Sequence, residues 1–303
     1  MNGALQRPRL GWPLFMLFVT GVCYGLTYTL ATISVRGGIP FTAYVFWLGL
    51  GAGVTMFVLS LLFRKPPSFT LTHLKVYVVT GATGFVIPYL IVAVVVGRGL
   101  PPGIMSMIIA LAPMMTYLGA VIFRLERAWW LRYLGLVIGI AGIVLIVAPD
   151  NSLPSPDLVI WVLIALIVPL GYAATTIAAA LMRPPAMDSL SFSAGYFLTV
   201  VPILFVAMLV AGEFWAFDGA FGDPEWALVL SVAVQGLGIY LFLELVMLMG
   251  PVFFTTVNFI TPPTGILFGW AFFSDKLSFW VLIALVPLFL GLLFVILPRK
   301  SAD

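Results

Sequence analysis

A few polar side chains inside otherwise hydrocarbon segments hold whatever chemistry this chain performs. Tyr28, Tyr89, Tyr172 and Tyr240, the amides of Gln235 and Asn258, and the carboxylate of Glu244 all fall within long apolar runs. A polar group in hydrocarbon is costly unless it is partnered, so each is a candidate for function. Phenols and amides hydrogen-bond neutral or zwitterionic solutes, and phenol rings also offer faces to amphipathic ones. Each group has a structural reading too: tyrosine hydroxyls can bond backbone carbonyls between packed helices, and amides can act as interhelical glue. Glu244 is the only acid within a run. It can exchange a proton or hold a substrate ammonium, or it can be an interfacial carboxylate reaching the headgroups. On one unbroken helix Tyr240 and Glu244 share a face, whereas Gln235 and Glu244 lie nearly opposite and cannot both face one cavity.

The elements that position these groups must be membrane helices. Apolar residues make up 63% of the chain and charged residues 8%, with a mean hydropathy of +1.19. A soluble globule carries about 25% charged residues, so this surface suits lipid and not water. Ten mostly apolar runs read as spanning helices: 12–35, 41–63, 74–97, 101–123, 129–148, 158–181, 190–211, 225–248, 251–273 and 279–297. The first is too long for a signal-peptide core and reads as an uncleaved helix. With the N-terminus inside, Arg7, Arg9, Arg64, Lys65, Lys75, Arg124, Arg127, Arg132, Arg183, Arg299 and Lys300 fall on the cytoplasmic side. Only Arg36, Arg98 and Lys276 fall outside, joined by the acids Asp150, Asp157, Glu213, Asp218, Asp223 and Glu225. Both termini are therefore expected in the cytoplasm, with the chain in the inner or plasma membrane of the cell. Trp12, Trp129, Trp130, Trp161, Trp215, Trp226 and Trp280 sit near span ends, where amphipathic rings settle.

Composition also excludes function classes. The sequence pI near 9.1 reflects loop lysines and arginines and no basic stripe, so no nucleic-acid partner is expected. One cysteine, Cys23, and one histidine, His73, leave no material for a disulfide framework or a cysteine zinc site, and little for a catalytic triad. No metal, no cofactor and no enzymatic activity are expected. A channel would want carbonyl loops or rings of charge, and no span presents a repeated polar stripe. No G-x-x-x-x-G-K-[ST] loop supports ATP-driven work. The partners expected are a small-molecule solute and the bilayer, with no obligatory protein partner.

The stretch from Pro102 to Pro149 is repeated in dilute form 149 residues later: Pro102, Pro113 and Pro149 fall on Pro251, Pro262 and Pro298. Glu126-Arg127 falls on Asp275-Lys276, Gly142 on Gly291, and Trp12 on Trp161. Two repeats are expected, over 1–150 and 151–303. Five spans per repeat is an odd number, so the second copy must enter the membrane inverted, which is a pattern of transporters. Pro88, Pro113, Pro169, Pro202, Pro262, Pro263 and Pro287 lie within spans and favour kinks. The shared Pro113/Pro262 position suits a hinge. Glu126 and Asp275, each followed by a basic residue, suit a gate or an anchored helix exit; water there is expected to keep both ionised.

At this point the residues resemble a known family. Ala112-Pro113 leading to Glu126, the matching Thr261-Pro262 leading to Asp275, and the aromatic-glycine pair Tyr24-Gly25 are similar to the EamA-type members of the drug/metabolite transporter superfamily. Ser274-Asp275 stands where Gly-Glu is commoner. The resemblance implies ten transmembrane helices in an all-α five-plus-five fold, alternating access through a central cavity, and export of amino acids, other metabolites or drugs. Tyr28, Tyr89, Tyr172, Gln235, Tyr240 and Asn258 are expected to line that cavity. Sparse intramembrane charge disfavours a polyanion such as a sugar phosphate and suits a neutral or zwitterionic solute, an amino acid above all. A single intramembrane acid favours gradient-driven transport over proton antiport, with Glu244 as the coupling candidate.

Overall fold

The computed structural model describes residues 11–149, 152–184, 187–217, 219, 221–249 and 251–297. Arg7, Arg9, Asp150, Asp218, Pro298, Arg299 and Lys300, which entered the topology and repeat readings, lie outside the described residues. The described residues form helices and no strand. In chain order the helices are α1 (Gly11–Arg36), α2 (Phe41–Leu62), α3 (Leu71–Gly81), α4 (Ile87–Gly97), α5 (Pro102–Ile109), α6 (Ala112–Ile122) and α7 (Trp130–Val147). They continue as α8 (Leu158–Ala165), α9 (Ile167–Met182), α10 (Ser189–Val210), α11 (Asp223–Met249), α12 (Pro251–Thr255), α13 (Thr261–Phe273) and α14 (Phe279–Ile296).

Nine helical stretches among the described residues are long and apolar enough to cross a membrane. The expected span at 251–273 differs, because it is split into α12, a 3-10 turn at Thr256–Phe259, and α13. Three other spans are interrupted at mid-length. A π-turn at Ala82–Val86 separates α3 from α4, Ala110–Leu111 separates α5 from α6, and Leu166 separates α8 from α9. Pro88, Pro113, Pro169 and Pro262 each fall in the first turn of the helix that restarts, where a missing N–H leaves no hydrogen bond unmade. Pro202 and Pro287 lie inside helices that continue unbroken. The prolines therefore divide into helix starters and tolerated interior residues.

Successive spans alternate between the face where α1 begins, here the N-terminal face, and a distal face. Several helix ends carry Schellman-type caps, as in Leu100 N–H to Val95 O at 3.0 Å and Lys65 N–H to Ser60 O at 2.7 Å. On the distal face the left-handed cap residue is Gly38, Gly99, Gly212 or Ser274; on the N-terminal face it is Arg64 or Arg124. A side chain in that conformation costs some strain. A basic group beside the negative helix end offsets part of it.

Packing differs between the two faces. At the distal face α4 and α5 fill the centre: both pack on α1, and α5 also packs closely on α13. All eight residues of α5 are buried. On the N-terminal side α3 packs on α9 and α10, and α6 on α9, α7 and α14, with no extended packing of either on α1 or α11. The bundle is thus plugged at its distal end and parted at its N-terminal end.

Candidate functional site

Tyr28 from α1, Tyr89 from α4, Tyr172 from α9 and Gln235 from α11 converge at mid-length of their spans, where the plug ends. The Tyr89 hydroxyl donates to Gln235 Oε1 at 2.6 Å. Tyr172 lies within hydrogen-bonding reach of Tyr89, and Tyr28 is electrostatically coupled to Tyr89 and Tyr172. Tyr24 from α1 and Tyr196 from α10 complete the cluster. Tyr44 stands at its edge and donates to Ser231 Oγ at 3.3 Å. Tyr24, Tyr172 and Tyr196 sit deep in the protein yet keep part of their surface open. That combination marks an internal space lined by phenols. Among the described residues the electrostatic neighbours of these hydroxyls are one another and Cys23, so this part of the lining is polar without being charged.

Local sequence explains the placement. The π-turn at Ala82–Val86 adds a residue to one turn and re-aims the start of α4, a device common at functional sites. It brings Phe85 into the core, where the ring packs 4.5 Å from that of Tyr89 and 5.1 Å from that of Phe197. Gly84 leaves room for the Thr175 hydroxyl, 2.6 Å from where a Cβ would stand. On α11 the buried residues Ser231, Val234, Gln235, Leu241 and Leu245 form one stripe, which aims Gln235 inward at 4% exposure.

Two comparisons bear on this arrangement. Residues 11–148 match the model of the EamA-like transporter family. The matched stretch is similar to the EamA-like transporters of the drug/metabolite transporter superfamily. The chain also shares its fold with a solved crystal structure titled "Crystal structure of protein", at a TM-score of 0.62 and 18% identity, covering 92% of this chain and 95% of the other. No curated protein matches it.

Other residues expected at the site stand elsewhere. Tyr240 is 47% exposed, on the outer face of α11 with Trp226, Leu230 and Leu237, so it is withdrawn from the cavity lining. Half a helical turn separates it from the inward stripe. Asn258 lies in the 3-10 turn, where its Nδ2 donates to the Thr255 carbonyl at 3.0 Å, a local backbone bond in place of a shared cavity. Glu244 stands opposite Gln235 on the same unbroken helix, near the N-terminal face, where its charge acts on Lys65. That is the position of the interfacial reading.

The helix-exit acids do not pair with the basic residues beside them. Glu126 bonds Arg132, whose guanidinium also lies over the Tyr117 and Trp129 rings at 5.1 and 5.8 Å. Tyr117 accepts the Trp129 N–H at 2.8 Å, so it braces this turn and does not line the cavity. Asp275 has Arg36 of α1 as its charged neighbour, and not Lys276. Burial raises its carboxyl above the ordinary aspartate range, against the opposing pull of Arg36. Its Oδ2 is buried without a hydrogen-bond partner. The carboxylate is folded back against the last turn of α13, so it is less open to water than expected of a helix-exit acid.

Sequence reasoning passed over several residues that matter here. Tyr196 satisfied the same depth rule as Tyr89 and was findable by it. Arg36 reads as an outer-loop charge, yet its Nε donates to the Val96 carbonyl at 2.8 Å and ties α1 to the end of α4. Glu213 reads as loop acidity, yet it accepts the Thr42 N–H and hydroxyl at 2.8 and 2.7 Å, satisfying the start of α2 from a distant loop. No local signal marks either contact.

Proposed function

We propose that the phenol-lined space is the solute site of a secondary transporter that exports a small neutral or zwitterionic metabolite, an amino acid above all, by alternating access. The observation that carries this reading is the convergence of Tyr28, Tyr89, Tyr172 and Gln235 from four separate spans at mid-depth, immediately beneath the distal plug. Hydroxyls and an amide bond ammonium and carboxylate groups without the desolvation penalty of a buried charge pair. The interrupted spans add helix ends at the same depth, whose partial charges suit a zwitterion.

The N-terminal face is read as cytoplasmic, with both termini there and the chain in the cell membrane. The cavity then opens to the cytoplasm, as an exporter requires when it loads. The repeats at 1–150 and 151–303 are read as inverted copies. In support, the offset that pairs Pro113 with Pro262 also pairs the restart of α6 at Ala112 with that of α13 at Thr261. Counterpart elements also pack on each other: α7 with α14, and α2 with α10. Elements beside a two-fold axis do this. Gly142 and Gly291, also at that offset, both lie in the α7–α14 seam.

Reconstitution into liposomes with a panel of amino acids, other metabolites and drugs tests the reading. Saturable flux that falls on substitution of Tyr28, Tyr89, Tyr172 or Gln235, with the protein still inserted, is the expected result. Ion current in place of saturable flux would make the protein a channel. Thiol labelling of cysteines placed in the 212–224 loop of intact cells tests the topology; labelling only after permeabilisation would reverse it.

A further inference from the structure

Asp275 is the one carboxylate whose surroundings the transport reading leaves without a use. It follows α13 at the distal face, where three elements of the plug meet around it. Its Oδ2 lies 3.0 Å from the position a Cβ would take on Gly269, so a side chain on that turn would crowd the carboxylate. The same glycine faces Pro102 and Gly103 at the start of α5, at 3.4 and 3.6 Å. From α1 comes Arg36, held by the Val96 carbonyl and lying 5.7 Å from the centre of the Phe273 ring. Arg36 therefore reaches α4 with its hydrogen bonds and α13 with its charge and its ring contact.

We propose that Asp275 is a proton-binding site that sets how tightly the distal face is sealed. Ionised, the carboxylate attracts Arg36 and draws the end of α13 toward α1. When it binds one proton from the distal water it becomes a neutral carboxylic acid, that attraction ends, and α13 is free to part from α1 and α5. Asp275 is half-buried and not fully enclosed, so protons reach it while the face is shut. The other charged groups facing it are few. Of the elements packed on α13, α1 presents Arg36, whereas α5 and the 3-10 turn at Thr256–Phe259 carry no titratable side chain; its own loop adds Lys276. The upward displacement of its proton affinity by burial places the transition on the alkaline side of the usual aspartate range.

The inference rests on the transport reading for its purpose, but its test does not need a solute. Spin labels are attached at Val210→Cys and Phe272→Cys, both exposed at the distal end, in a Cys23→Ser background in lipid nanodiscs. Pulsed electron resonance then reads their separation along a pH series from about 3 to about 8, which spans the ordinary aspartate value and the range above it. The wild type is expected to show a longer separation whose population rises about two- to fivefold as pH falls along the series. Asp275→Asn is expected to show the raised population throughout, and Asp275→Glu to restore the response. Arg36→Gln, which removes the partner, is expected to behave like Asp275→Asn and serves if that variant does not fold. A wild type indifferent to pH, or an Asp275→Asn protein that still responds, overturns the proposal. A pH response without flux of any solute would sink the transport reading and leave this one standing.

Discussion

The two halves of the fourth span put similar residues to different uses. In α5 every side chain is enclosed, packed between α1 and α13. In α6, only one residue pair further along, Met114 and Tyr117 alone are buried, and the helix leans away toward α9. Both segments are apolar and carry two methionines each, so hydrophobicity does not separate them. What separates them is the company each keeps: α5 meets a glycine and small-residue seam on α13, whereas α6 restarts at Pro113 along a new direction. A span built in two pieces lets one end of the protein seal while the other stays parted, which a single rigid helix would prevent.

The strongest challenge to this contrast is an attack on the seam. Gly265 of α13 lies against Ser106 of α5, and a Cβ there would collide with that hydroxyl. Gly265→Leu is expected to destabilise the protein by about 3 kcal/mol, read as thermal unfolding in detergent. Gly236→Ala on α11, whose nearest neighbours would stand 3.7 Å away, should stay within about 0.5 kcal/mol. Equal losses would show that the distal side is no more tightly packed.

A second test refines the boundary between plug and cavity. Tyr89→Phe removes the donor to Gln235 and leaves a buried amide oxygen unpaired. Solute affinity is expected to fall about tenfold in liposome flux assays. Tyr240→Phe, on the lipid-facing side of the bundle, should change nothing measurable, and a loss there would return Tyr240 to the lining. Next in size is Glu244→Gln, expected to alter flux by less than about twofold and to leave any response to a pH gradient intact. Concentrative transport driven by the pH gradient and lost in that variant would make Glu244 the coupling group.

The smallest effect belongs to the N-terminal face, where Lys65 and Asp188 pair at 2.8 Å in the open. Burial works to raise the Asp188 carboxyl, but the Lys65 hydrogen bond and the Leu190 N–H outweigh it and hold the group below the usual range. Stability from this pair is therefore present above the ordinary aspartate value and lost as pH falls through the lower folded one. Asp188→Asn should cost less than about 1 kcal/mol, and less still in high salt. A larger loss, insensitive to salt, would mean that the N-terminal face is held shut more firmly than its packing implies.

A multi-span, all-helical membrane protein, the depth of the candidate residues along their spans, and the prolines at which a span could restart were legible in the sequence; which prolines start a helix and which are tolerated inside one was not. The legible features come from rules that act locally: apolar length sets a span, and proline can end one helix and start another. Periodicity even anticipated that Gln235 and Glu244 could not serve one cavity. Only the packed helices settle which of the two faces inward, because a helix of nearly uniform hydrophobicity carries no mark of which side meets lipid and which meets protein. Packing likewise chose Arg36 over Lys276 as the neighbour of Asp275, and Arg132 over Arg127 as the partner of Glu126. Charges adjacent in sequence leave a helix end in divergent directions, and contact with a group far along the chain depends on how the spans cross. In water a soluble protein sorts its faces by polarity. In lipid that sorting is absent, and the close fit of glycine, serine and threonine surfaces decides it instead.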